Sequence, residues 1–228
     1  MKHFSIMATI AILALTAQSV WAQGGQPRNV PVFNGLKVFG NIQVTLREGN
    51  RQSVKVRARG VDNDKVNTFV DNGVLKIKMQ EGIYNKIDVR VDVIYRSLNE
   101  VTVSGSGEVY VESLIQQNSF YVDVTSGGYA RMRVDVNSVE INLHSGGQLE
   151  IAGKAEHQET KVVSGAKLLA YRLESGHVTI KANTGGTAEI FVSESITGSA
   201  STGGGIRYKG SPRIENIKGN LGGEISRY

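Results

Sequence analysis

The amino-acid sequence predicts an all-β protein, a single-stranded parallel β-helix (solenoid) with coils of about 20 residues. Two observations carry this. A Ser/Thr-Gly-Gly pattern recurs at Ser126-Gly127-Gly128, Ser145-Gly146-Gly147, Ser164-Gly165-Ala166, Thr184-Gly185-Gly186 and Thr202-Gly203-Gly204, with Ser104-Gly105 before it and Leu221-Gly222-Gly223 after. The steps between first glycines are 22, 19, 19, 20, 18 and 19 residues, the spacing of stacked repeats that cannot bury a core singly. Apolar and polar residues also alternate with period two almost throughout, and helical periodicity is nearly absent. Two packed antiparallel sheets would give many short strands as well, so an antiparallel β-sandwich is the alternative; the regular glycine recurrence favours stacking.

Taken in order, the chain opens on an export signal. Lys2 and His3 precede an apolar run from Ile6 to Leu15, and Val20-Trp21-Ala22 places small residues at a cleavage site before Gln23. Residues 1–22 read as a secretory signal peptide, its apolar run shorter than the roughly 20 residues of a membrane span. No later stretch reads as a transmembrane segment. Residues 23–32 read as a flexible lead-in. Residues 33–99 read as an N-terminal β region of the same domain, with longer strands. There Ile42, Val44 and Leu46 alternate with Gln43, Thr45 and Arg47, and Ile87, Val89, Val91 and Val93 mark a further strand. Asn72-Gly73 between Thr68-Phe69-Val70 and Val74-Leu75-Lys76-Ile77 is a hairpin signal.

Residues 100–228 form the repeat β-helix. Each repeat holds two short strand signals, such as Ala130/Met132/Val134 and Val139/Ile141/Leu143. Ser126, Gly127, Ser145, Gly146, Ser164, Gly165, Thr184, Gly185, Thr202 and Gly203 are assigned to structural corners. Glycine supplies the positive φ that a tight corner needs, and the hydroxyls are expected to bond to one another along the rod. A lone buried hydroxyl costs about 1–3 kcal/mol, so such a ladder works only when continuous. Leu221 breaks the pattern where an atypical capping coil is expected.

The chain has no cysteine, so an exported protein of this kind relies on core burial rather than disulfides. Lys2 is the one charge of the signal, so its removal takes the formal net charge from +5 to +4. This mild excess is interspersed along strands. No basic run tracks a phosphate backbone, which argues against nucleic acid as a partner.

Three segments together resemble the bacterial auto-transporter adhesin, head GIN domain family. They are Phe33-Asn34-Gly35-Leu36-Lys37-Val38 through Ile42–Gly49 with Val54-Lys55-Val56, the hairpin Val70-Asp71-Asn72-Gly73-Val74-Leu75-Lys76-Ile77, and Val101-Thr102-Val103-Ser104-Gly105-Ser106-Gly107 leading into the repeats. The resemblance implies an exported, β-helical protein of the bacterial cell envelope, of a kind common in Bacteroidetes. It supplies no catalytic residues to carry over.

Polysaccharide lyases and hydrolases also use parallel β-helices, and their sites need carboxylates clustered on neighbouring coils. Asp123 and Asp135 are the only aspartates after residue 100, and Glu140, Glu150, Glu174, Glu189 and Glu224 fall at offsets that do not repeat. They read as solvated faces. His144, His157 and His177 read as scattered surface histidines, and Asp62-Asn63-Asp64 as a turn rather than a calcium loop. No metal, cofactor or catalytic residue is assigned. By alternation Tyr110, Tyr121, Arg131 and Arg133 point outward and are the candidate binding residues. Such side chains can stack on sugar rings or meet anionic glycans, or simply pack across strands.

The sequence therefore predicts a non-enzymatic, adhesin-like protein, exported to the periplasm, outer-membrane surface or medium, with a surface glycan, lipid or envelope protein as partner. The alternatives are a polysaccharide-active enzyme of pectinase or lyase type, and a structural or lipid-binding envelope component. A cleft with three or more carboxylates would favour the enzyme, and an apolar groove the lipid binder. An exposed end coil offers an edge for pairing, which makes a homo-oligomer a candidate assembly.

Overall fold

Strands that alternate apolar and polar residues bury one face only, and here those faces close on each other by winding. The computed structural model describes residues 25 and 27–228; the signal-peptide segment at 1–22 lies outside the described residues. One 15-stranded sheet winds into a solenoid of about seven turns, roughly 19 residues each. The strands are β1 (Gly35–Phe39), β2 (Gln43–Glu48), β3 (Ser53–Arg59), β4 (Val66–Asp71), β5 (Val74–Met79), β6 (Asp88–Tyr95), β7 (Glu100–Ser104), β8 (Glu108–Thr125), β9 (Tyr129–His144), β10 (Gln148–Val163), β11 (Lys167–Asn183), β12 (Thr187–Ser201), β13 (Gly205–Lys209), β14 (Ile214–Asn220) and β15 (Glu224–Arg227). From β7 onward every pairing is parallel. Only β3 with β6 and β4 with β5 run antiparallel, so the sandwich alternative is not the fold.

The N-terminal strands are the shorter ones, at 5–8 residues, whereas β8 to β12 span 15–18. The two strands expected in each repeat run on as one, because the second corner of the coil breaks no hydrogen bond ladder. In β9 the buried residues are Ala130, Met132, Val134 and Val136, then Val139, Ile141 and Leu143. The phase flips across Asn137 and Ser138, two successive outward residues that divide the coil into a first and a second limb. The limbs face each other and fill the interior with in-register columns, for example Val109, Ala130, Leu149, Leu168, Ala188 and Ile206. Each such fully buried Val, Leu or Ile contributes on the order of 1.5–3 kcal/mol.

At the first corner both central residues are left-handed. Ser126, Ser145, Ser164, Thr184 and Thr202 hold φ between 50° and 53°, and the glycines after them 71° to 76°. The next amide closes the turn, as Gly128 N to Thr125 O at 2.9 Å. The hydroxyl ladder expected at these corners does not form: the Ser and Thr side chains are exposed. A main-chain ladder replaces it, in which each glycine N–H donates to the hydroxyl residue's carbonyl one coil on, Gly127 to Ser145, Gly146 to Ser164, Gly165 to Thr184 and Gly185 to Thr202, at 3.0–3.1 Å. The entry corner also differs from the one expected. Gly105 and Ser106, not Ser104 and Gly105, carry the positive φ, and Ser106 N donates to Ser126 O. The third residue of the motif is small for another reason: a Cβ on Gly147 would meet Val124 O at 2.0 Å.

The ends are closed differently. Asn72 and Gly73, both at positive φ, turn the β4–β5 hairpin. Within the stretch read as a flexible lead-in, Arg28 is tied to β3 by a bridge to Val54, and its guanidinium donates to Val66 O, Thr68 Oγ1 and Asn63 O. At the far end β14 and β15 bring Glu215 and Arg227 into columns that hold Ile196 and Tyr208 below. Glu215 accepts from Tyr208 Oη at 3.1 Å and faces Arg227 at 3.8 Å, so the final coil closes the core with an ion pair.

Candidate functional site

Two hollows on the surface of the rod gather charged and aromatic side chains. One lies on the first limb, about 560 Å³ in volume, and includes Tyr110, Arg131 and Arg133 with Glu150 and Arg172. Register builds it: Tyr110, Arg131 and Glu150 stand side by side on β8, β9 and β10, with Thr45 of β2 beyond. Tyr121 is not among them. It lies on the second limb, between Glu100 and Glu140, so three of the four outward residues come together and one does not.

Arg172 was not among the candidates, and a bulge explains how it arrives. Glu150 pairs with Leu169 but Ala152 pairs with Arg172, one residue further than regular spacing gives. Tyr171 and Arg172 are both outward before Leu173 returns to the core. A bulge of this kind re-aims a side chain, here bringing Arg172 level with Arg133 across Ala152. The sequence does carry a trace of it, in the 20-residue step between Gly165 and Gly185. The longer 22-residue step has a similar origin: β8 slips register between Tyr110 and Leu114, and Glu112 of that bulge takes Arg47 in a two-point bond of 2.6 and 2.9 Å.

The hollow is held by its own hydrogen bonds. Glu150 receives Arg172 at 2.5 Å and Tyr129 Oη at 3.3 Å, with Arg131 at 3.7 Å. Tyr110 donates to Glu108 at 3.0 Å. The Tyr110 and Tyr129 rings lie 5.7 Å apart, tilted by 51°, within the range of favourable aromatic pairs. Burial first, and the neighbouring carboxylates second, push both phenols upward, so both stay protonated donors at neutral pH.

The second hollow runs along the second corners of five coils, about 1370 Å³ and open. Asp135, Glu156, Glu174 and Glu194 line it, with Lys154, His177 and Phe191. His177 also belongs to an arrangement missed by reading the histidines as scattered. His157 and His177, one coil apart, stack with ring centroids 5.2 Å apart, and Ser195 Oγ lies 2.8 Å from His177 Nδ1. Among the described residues no group of three or more His, Cys, Asp or Glu side chains is placed to hold a metal ion.

Solved structures share the architecture. One called a "putative adhesin", from Bacteroides fragilis NCTC 9343, superposes with a TM-score of 0.77 at 16% identity, covering 89% of this chain and 95% of that one. A second adhesin so described, from Parabacteroides merdae ATCC 43184, gives 0.70 at 17%, and a "putative lipid binding protein" from Parabacteroides distasonis ATCC 8503 gives 0.63 at 17%, each with the same coverage. At these identities the likeness is one of fold. No curated protein matches the sequence. The family model described as "Putative auto-transporter adhesin, head GIN domain" matches residues 32–212, and the chain belongs to that family.

Proposed function

We propose that the protein is an exported, non-enzymatic, adhesin-like component of the cell envelope that holds sugar on the first-limb hollow. One observation carries this reading: the coil register gathers Tyr110, Arg131, Arg133 and Arg172 around a single concavity, with the Tyr129 ring packed on Tyr110 beside it. An aromatic pair beside guanidinium groups suits a sugar ring and its hydroxyls. Polar and charged side chains outnumber apolar ones around both hollows, which supports a sugar over an acyl chain.

A second reading, a polysaccharide-cleaving enzyme, draws on the four carboxylates of the second-corner groove. One experiment separates the two. Wild type and Tyr110→Ala are passed over immobilised glycans, and retained protein and released oligosaccharide are both measured. The adhesin reading expects retention, at least tenfold weaker in Tyr110→Ala, with no product. Product released by wild type and abolished in Glu174→Gln would establish the enzyme instead.

A further inference from the structure

The three guanidinium groups of the first-limb hollow are not equivalent. Arg131 and Arg172 both lean on Glu150. Arg133 has no carboxylate within 4.0 Å among the described residues. Its neighbour in register is Ala152, and Arg172 stands one strand further on, so the small alanine side chain separates two guanidinium groups that share one face. Arg131 and Arg172 are mostly exposed, at 58% and 69% of their side-chain surface, and so can meet a ligand without repacking the core.

A guanidinium without a counter-ion, next to an aromatic pair, recognises a particular chemistry. Its planar fork gives two parallel N–H bonds to a carboxylate, sulfate or phosphate, while the rings offer a surface to the sugar that bears that group. We infer that the hollow binds an acidic glycan, with Arg133 and Arg172 on the acid group and Tyr110 and Tyr129 against the ring. The inference rests on the sugar-binding reading above and narrows it to one charge class. Glu150 then acts as an internal stand-in for the ligand's acid group. It holds Arg131 and Arg172 in place while the site is empty, and it opposes the ligand's charge when the site fills.

That double role gives an outcome that a merely structural carboxylate would not produce. The purified chain and its variants are titrated over immobilised polygalacturonate, dextran sulfate and dextran, which are carboxylated, sulfated and neutral. Wild type is expected to prefer an acidic polymer, with affinity falling as salt rises because exposed charges are screened. Arg133→Ala is expected to weaken that binding at least tenfold, and Glu150→Gln to strengthen it severalfold. Whichever acidic polymer responds to Arg133→Ala identifies carboxylate or sulfate as the group read. Equal binding to dextran, an Arg133→Ala variant that keeps full affinity, or a Glu150→Gln variant that binds more weakly each overturns the acidic-glycan inference. If Tyr110→Ala still abolishes binding in those cases, the sugar-binding face stands without it. No binding to any of the three polymers overturns both.

Discussion

Thr184 and Thr202 sit at φ of 51° and 50°, where a β-branched side chain is rarely found and the left-handed backbone costs roughly 1–2 kcal/mol per residue. The turn keeps them there because their carbonyls accept from the glycine of the coil before. Glycine at these corners was readable from the sequence, since positive φ is its usual office. The left-handed Ser and Thr were not, because nothing in their chemistry calls for that conformation. Asp123 shows a different conflict. Burial holds its carboxyl above the ordinary carboxylate range, opposed by His144, whose Nε2 lies 3.5 Å away, and by Lys37. A carboxyl whose folded pKa exceeds its unfolded one contributes stability that is complete below the unfolded value and is lost as pH rises through the folded one. Asp123→Asn is therefore expected to melt at the same temperature as wild type near pH 3 and above it near pH 7, checked by paired thermal melts across that range.

At the scale of the element, β10 and β11 carry the buried polar side chains found among the described residues. Gln158, Thr160 and Ser175 are all at least 97% buried, and they satisfy one another: Ser175 Oγ donates to Gln158 Oε1 at 2.7 Å, and Gln158 Nε2 donates to Thr160 Oγ1 at 2.9 Å. Ser175→Ala removes one partner and strands the Gln158 oxygen, a loss of about 1–3 kcal/mol. Replacing the whole set, with Gln158→Leu, Thr160→Val and Ser175→Ala together, is expected to be close to neutral, because no buried polar group is left without a partner. Denaturant melts of the two variants check this. Alternation made β9 legible up to Val136 and again from Val139, with Arg131 and Arg133 outward, and alternation at the start of β8 turns Tyr110 the same way. The second corner shows in the sequence only as the break between the two strand signals of each repeat, the flip of phase at Asn137 and Ser138, because it uses no left-handed residues. Arg172 was lost for a related reason: a single inserted residue in β11 reverses which side faces out.

For the whole molecule, period and alternation were enough to give a solenoid. The polar closure at Glu215 and Arg227 was not foreseen, since it depends on which side chains enter the interior of the final coil. Burial of tyrosines, some inside the coils and some between neighbours on their outer faces, sets the alkaline limit of the fold. Burial pushes Tyr95 up to about 12, with Glu48 adding to it, and raises Tyr110, Tyr121, Tyr129, Tyr171 and Tyr208 as well. The sign is that of Asp123, displaced to high pH: the stability tied to these phenols is intact below their unfolded value of about 10 and is lost as pH rises above it. Melting temperature is expected to hold up to about pH 9 and then fall. The Tyr95 hydroxyl is buried with no hydrogen-bond partner among the described residues, so Tyr95→Phe should keep more of its stability at about pH 11 than wild type does.

The main-chain ladders run along the rod axis, from Gly127 to Ser145 and onward coil by coil. A pull along that axis loads each coil's bonds to its neighbour in sequence and not all at once. The closing coil, with Glu215 and Arg227 where other coils hold apolar side chains, is the first to peel. Each coil that detaches releases about 19 residues, on the order of 65 Å of extended chain. Under tension the molecule pays out slack like thread from a spool, lengthening many times over before its last coil lets go.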